Sequence, residues 1–443
     1  MSWNVKYVFL ILFTTAASYF AAILIEKNDN RLYRKLVLTA TLISCLGVLA
    51  VFKYYNFIFE ILNDVVGVFA IQLHHTTLSL LLPVGISFYT FQTLSYVIDV
   101  YRGNIKAEHH FGLYATFISF FPQLVAGPIE RASNLLPQIK AYHTFNYNQT
   151  IYGSKLIIWG LFKKMAVADN LSPYVDRVYE NVLQFQGFAF ILATIFFAFQ
   201  IYCDFSGYSD IARGTAKLMG IELMENFKSP YFSASIREFW SRWHISLSTW
   251  FRDYVYIPLG GNRRGKYKHY LNLLITFTVS GLWHGANWTF IIWGALHGFA
   301  HIFEKAFGLN IATRKHSFLW LIRVCLVFIF VTFAWIFFRA QTLSDAMFVI
   351  SHIFTGIKNP FLWAFHGFSD LDMKAITFVI YLGLLIIPLT LYDYVAVRNN
   401  MDTTEVLGNK NALYQWVFYI TIGLILVFFT PKGVAAEFIY FQF

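Results

Sequence analysis

Val5-Lys-Tyr-Val-Phe-Leu-Ile-Leu-Phe-Thr-Thr-Ala-Ala-Ser-Tyr-Phe-Ala-Ala-Ile-Leu-Ile25 carries a single charge, Lys6, in about 21 residues. As a helix rising 1.5 Å per residue it reaches roughly 31 Å, one hydrocarbon thickness of a bilayer. A helix of that length that is apolar on every side needs lipid or a large core around it. The flanks do not read as a cleaved signal, because Glu26-Lys27 follows without a small-residue cleavage pattern. Lys27–Lys35, Arg263–Lys268 and Arg314-Lys315 are the basic clusters that read as cytoplasmic loops, which would start Met1 on the outer side.

The rest of the chain repeats this pattern. Of its 443 residues 57% are apolar and 20% aromatic, while Asp, Glu, Lys and Arg supply 13%. A soluble protein carries about twice that charged fraction. A mean hydropathy of +0.53 excludes a soluble enzyme, a disordered chain and a secreted disulfide scaffold. Further apolar stretches are Leu36–Ile61, Leu78–Tyr101, Phe111–Ala126, Ile151–Ala168, Phe188–Cys203, Tyr270–Trp283, Trp288–Phe303, Phe318–Phe338, Ala346–Gly356, Ile376–Tyr394 and Leu413–Thr430. They predict an all-α polytopic membrane protein of ten to twelve membrane helices, in one domain over residues 1–443. Several stretches are short or interrupted, as happens where helices line a covered cavity. Cys45, Cys203 and Cys325 sit in apolar runs without metal-ligand spacing and read as small core residues.

The net charge of +10 reads as basic loops rather than as a nucleic-acid footprint. It is not evenly spread. Arg213–Lys268 holds ten Lys/Arg against four acids, in about an eighth of the chain. Within it, Ser235–Tyr254 reads as one helix, with Trp240, Trp243, Leu247, Trp250 and Tyr254 at spacings of three and four. One reading of that stripe is an interfacial amphipathic helix, with Trp at the headgroups and Arg on phosphates. The other gives His244, beside Trp240 and Trp243, a place in a site. The basic loop Gly260-Gly-Asn-Arg-Arg-Gly265 could hold a phosphorylated ligand through Arg263 and Arg264, or be an ordinary cytoplasmic turn.

Ser280-Gly-Leu-Trp-His-Gly-Ala-Asn-Trp288 interrupts two apolar helices and places His284 between two glycines. An imidazole at membrane depth is a functional candidate, because it titrates near neutral pH and can take and return a hydroxyl proton; a helix-to-helix hydrogen bond is the other reading. Asp204 and Asp210, at the close of the apolar run from Phe188, could cap a helix, orient a histidine or balance nearby arginines. Phe120–Arg131 reads as a Gly-Pro break followed by a charge pair. His297 and His301 lie four apart, but no third ligand accompanies them, so a polar helix interface is favoured over a metal. No nucleophile elbow or supported thiol points to a covalent mechanism.

The two histidine segments, Arg237–Asn262 and Ser280–Gly285, resemble the membrane-bound O-acyltransferase family, in its bacterial branch of alginate O-acetylation and teichoic-acid D-alanyl transfer. Asp204–Ile211, Val125–Ile129 and the closing Phe438–Phe443 are similar to the same branch. Relatives generally carry one more apolar helix ahead of Val5–Ile25. The resemblance implies a helical ring around a tunnel in a bacterial inner membrane. It implies a cytoplasmic acyl thioester as donor, acetyl-CoA or an acyl carrier, with no bound cofactor and no metal. The acceptor would be a hydroxyl for an extracytoplasmic polysaccharide, reached directly or through a partner acetyltransferase. His284 is the implied general base and His244 the implied oxyanion or substrate-orienting group. Trp240, Trp243, Asp204, Arg263, Arg264 and Asn287 are expected at the substrate, with membrane lipid around the protein. The competing expectations are D-alanyl-type transfer from a carrier protein and a proton-coupled transporter using His284 and Asp204.

Overall fold

The computed structural model describes every residue except 1–6, 70–76, 79, 81, 310–316, 402–405, 407–410, 432–437 and 440–443. Val5 and Lys6, the Arg314-Lys315 pair and the end of the closing segment therefore lie outside the described residues. The described chain is helical, and it forms two compact units, residues 1–146 with 216–224, and residues 147–215 with 225–443.

The first unit contains α1 (Tyr7–Glu26), α2 (Arg31–Gly67), α3 (Ile86–Arg102), α4 (Phe111–Ser119) and α5 (Ala132–Lys140). Its core is aliphatic and aromatic, centred on Ile25, Tyr96, Tyr114, Phe117 and Leu135. Two of the polar pairs inside it are Ser18 Oγ with Tyr114 Oη at 2.7 Å and Glu26, which accepts from the Ala107 amide at 3.0 Å. Glu130, after the Gly-Pro break, is fully buried and accepts from Asn134 Nδ2 at 2.8 Å and the Met224 amide at 2.5 Å.

The second unit carries the histidines. Its helices are α6 (Tyr147–Leu161), α7 (Asp169–Tyr179), α8 (Phe188–Leu218, whose last turn groups with the first unit), α9 (Ile236–Arg242) and α10 (Ile245–Phe251). They continue with α11 (Lys266–His284), α12 (Trp288–Ala306), α13 (Phe318–Arg339), α14 (Leu343–His352), α15 (Pro360–Asp370), α16 (Ala375–Asn399) and α17 (Ala412–Phe429). The hairpin of α11 and α12 is unusually close. A Cβ on Gly281 would fall 2.2 Å from the Phe290 carbonyl oxygen, and one on Gly294 2.3 Å from that of Phe277. Small residues permit this backbone approach, which membrane helices use in place of a hydrophobic driving force.

Three expectations are corrected. Six described helices are long and apolar enough to cross a membrane (α1, α2, α8, α13, α16 and α17), not ten to twelve. The remaining apolar stretches are shorter, broken or more polar: α3 has 17 residues, and Phe111–Ala126 breaks at Phe120, ahead of Pro122. The apolar run from Phe188 does not end at the two aspartates. The helix continues for 31 residues, so Asp204 and Asp210 lie inside it and cap nothing. Finally, Ser235–Tyr254 is not one helix. It breaks at Trp243-His244, with α9 before it, α10 after it and a π turn over Arg252–Tyr256. The cause is distant in sequence. Asn226 takes the Ile245 amide on its carbonyl and the Ser246 amide on Oδ1, both at 3.0 Å, while the Lys228 amide donates to the Arg242 carbonyl at 2.9 Å. These bonds satisfy backbone groups that a continuous helix would pair internally.

Candidate active site

His244 stands at that break. Its φ of +43° is in the left-handed region, sparsely used by residues with a Cβ, and it is fully buried. Its ring lies edge-on to Phe205 (centroids 4.6 Å apart) and 6.2 Å from Trp283. His284 is the last residue of α11, 4% exposed, edge-on to Trp283 at 5.0 Å and Trp293 at 5.1 Å. Trp283 thus touches both imidazoles. Gly285 is extended, and a Cβ there would fall 2.1 Å from the Phe290 ring. The chain can turn after His284 only with no side chain at the next position.

Beside the histidines is a cavity of about 650 Å³. It runs along α11 from His269 to Ser280, eleven residues or roughly 16 Å. At one end stand Arg237, Arg252, Tyr256, His269 and Lys305. At the other stand Ser280, one turn before His284, and Ile245, the residue after His244. The cavity is therefore cationic at one end; His244 and His284 do not line it themselves, but Ile245 and Ser280 at its other end are their near neighbours in the chain.

The other expected residues are dispersed around this geometry. Trp240 lines the cavity and donates its indole N–H to His297 Nδ1 at 3.3 Å. Trp243 does not line it; it packs on Phe239 and Trp335 in the aromatic core behind. Asp204 meets Lys164 Nζ at 2.6 Å and accepts the Ile439 amide at 2.8 Å. Lys164 also pairs with Asp169, and the neighbouring Lys163 with Asp210 at 2.5 Å. The π turn Phe162–Ala168 carries both lysines to these buried carboxylates. This is charge balance across helices, supplied by lysines rather than by the arginines expected from the sequence, although Asp210 also approaches Arg213 at 3.8 Å. Asn287 caps α12, accepting from the Thr289 amide at 3.0 Å and donating to the Gln341 carbonyl at 2.8 Å. Arg263 and Arg264 are exposed and do not line the cavity.

The cations that do line it were counted in the sequence only as loop charge, or not singled out. Arg237, Arg252 and Lys305, with the His269 imidazole among them, come from four separated segments, so no local spacing marks them. Burial first, and the Lys305 ammonium second, hold His269 below the ordinary histidine range. Among the described residues no group of three His, Cys, Asp or Glu is placed to hold a metal.

Residues 105–344 match the profile of the MBOAT, membrane-bound O-acyltransferase, family. The chain belongs to this family. A probable alginate O-acetylase AlgI of Pseudomonas aeruginosa is 42% identical over 348 residues, 78% of this chain and 65% of the relative. The peptidoglycan O-acetyltransferase of Helicobacter pylori is 38% identical over 380 residues, 79% of this chain and 70% of the relative. A probable alginate O-acetylase AlgI of Pseudomonas putida is 38% identical over 412 residues, 90% of this chain and 82% of the relative. The chain thus spans about two thirds of the first relative's length and more of the other two. It is a multi-pass membrane protein of the O-acyltransferase family, similar to its alginate O-acetylase branch.

Proposed function

We propose that the chain moves an acetyl group from acetyl-CoA, through the bacterial inner membrane, to a hydroxyl for the O-acetylation of an extracytoplasmic polysaccharide. The observation that carries this reading is the cavity, cationic at one end and lined at the other by Ile245 and Ser280, near neighbours of His244 and His284 in the chain. A phosphorylated thioester suits that polarity: its phosphates belong at Arg237, Arg252 and Lys305, and its acyl end beside Ile245 and Ser280. The similar proteins, named as probable alginate O-acetylases and as a peptidoglycan O-acetyltransferase, support the acetyl group and the polymer.

In this reading the acceptor hydroxyl gives its proton to His284 as its oxygen attacks the thioester carbonyl. His244 donates a hydrogen bond to the oxyanion. The new C–O bond forms, the C–S bond breaks, and His284 returns the proton to the departing thiolate as a free thiol. The buried aromatic rings around both imidazoles exclude water that would hydrolyse the thioester. The two units are read as one acyltransferase domain, because the family match includes residues of each. The tunnel, the surrounding lipid and an extracytoplasmic acetyltransferase receiving the acetyl group are parts of the same proposal.

The test is thiol release from acetyl-CoA by the purified protein, with and without a hydroxyl acceptor. Acceptor-dependent release that disappears in His284→Ala, with donor binding retained, supports the reading. Reaction with an acylated carrier protein but not with acetyl-CoA replaces the donor. Unchanged polymer acetylation in His284→Ala cells removes acyl transfer altogether and leaves the transporter reading.

A further inference from the structure

Lys305 Nζ lies 2.6 Å from His269 Nε2, and His269 Nδ1 lies 2.6 Å from the Tyr256 hydroxyl. The chemistry of the three groups fixes the direction of both bonds. An ammonium has donors and no acceptor, so Nε2 must accept. A neutral imidazole accepting at Nε2 carries its hydrogen on Nδ1, which therefore donates to the Tyr256 oxygen. The tyrosine's own O–H is then left to donate elsewhere, and Lys305 keeps two further N–H groups. All three side chains line the cavity, with the Arg237 and Arg252 guanidinium-bearing side chains beside them. His269 itself is 6% exposed, and among the described residues Lys305 has no carboxylate within ion-pair distance.

We propose that Tyr256, His269 and Lys305 form a polarised relay that builds an anion site in the cavity, and that its ligand is a phosphate group carried by the thioester donor. This rests on the donor reading above and assigns the residues that recognise the donor. A tether between α11, α12 and the Arg252–Tyr256 turn would be served by any ion pair. This arrangement instead ends in surplus donors around a positive charge, which complements a phosphate rather than a hydroxyl or an amide. His269 is a positioning residue: it orients Lys305 and frees the Tyr256 proton without itself reaching the ligand.

Two measurements on the purified full chain test the proposal. Inorganic pyrophosphate should bind the wild type, and His269→Ala and Lys305→Ala should weaken that binding about tenfold. Tyr256→Phe, which keeps the ring and its packing, should weaken it several-fold. The second measurement is the preference for S-acetyl-phosphopantetheine over S-acetyl-pantetheine, as the ratio of kcat/KM. The relay predicts that Tyr256→Phe and His269→Ala raise KM for the phosphorylated donor, leave kcat near wild type and bring the ratio toward one. A merely structural role would slow both donors equally and preserve the ratio, which overturns the proposal, as does pyrophosphate binding unaffected by the three variants. Should pyrophosphate bind through the relay while no thioester reacts, the donor reading fails and the phosphate belongs to another source. Competition by anionic phospholipid in nanodiscs would then identify that source as a lipid headgroup.

Discussion

At the residue scale, the backbone of His244 separates two effects that an alanine substitution would confound. Its φ of +43° costs a residue with a Cβ about 1 kcal/mol or more, which glycine avoids. His244→Gly should therefore unfold in detergent at least as late as His244→Ala, by about that amount after correction for the lost ring. Both should lose acyl transfer by about 10²- to 10³-fold, the usual worth of one oxyanion donor. Activity that survives in His244→Gly would make the position a backbone hinge rather than a chemical group. Both histidines stand out in the sequence as polar residues flanked by glycines or bracketed by tryptophans in an apolar chain, and the structure buries both near Trp283. The strain at His244 was not legible there, since it depends on the segment around Asn226 rather than on any neighbour.

At the element scale, the sequence pattern of Ser235–Tyr254 follows helical spacing and misleads for a physical reason. Periodicity reports which side of a segment is apolar, but it is silent about hydrogen bonds that enter from 19 or 20 residues away. Asn226 supplies such bonds to Ile245 and Ser246. Asn226→Ala should leave the Ser246 amide without its buried acceptor and lower stability by about 1–3 kcal/mol. Acyl transfer should fall with it, because α9 and α10 would be free to rejoin as one helix and carry His244 off the site. Differential scanning fluorimetry and a turnover assay on the same preparation check both parts. The α11–α12 hairpin makes a sharper case. Gly281→Ala places a methyl 2.2 Å from the Phe290 carbonyl oxygen, so the helices must separate, at about 1–3 kcal/mol. His284 lies one turn away, so kcat should drop more than donor KM rises. Equal stability and activity in that variant would mean that the close approach has no part in holding His284.

At the scale of the whole molecule, what lipid demands is legible and what the site demands is mostly not. The six long apolar helices lie among the stretches that hydropathy marks, although it also marks stretches too short, broken or polar to span. The cavity does not follow from hydropathy, because Arg237, Arg252, His269 and Lys305 meet only once α9, α11, α12 and the intervening turn are folded together. The charge that reads as positive-inside topology and the charge that lines the cavity belong to adjacent stretches of chain: Arg263–Lys268 runs directly into His269 at the start of α11. This adjacency ties membrane orientation to chemistry. If the basic loop is cytoplasmic, the cationic end of the cavity opens toward the compartment that holds acyl thioesters, and orientation becomes a condition of function. A single cysteine at the exposed Arg264 position, in a chain with Cys45, Cys203 and Cys325 replaced by alanine or serine, checks it. An impermeant maleimide should leave Arg264→Cys unlabelled in intact cells and label it in inverted membrane vesicles, and excess pyrophosphate should change that labelling less than twofold, since Arg264 does not line the cavity. Labelling in intact cells would put the cavity's cationic end outside, where no cytoplasmic thioester could reach it, and acetyl transfer in the proposed direction would be impossible.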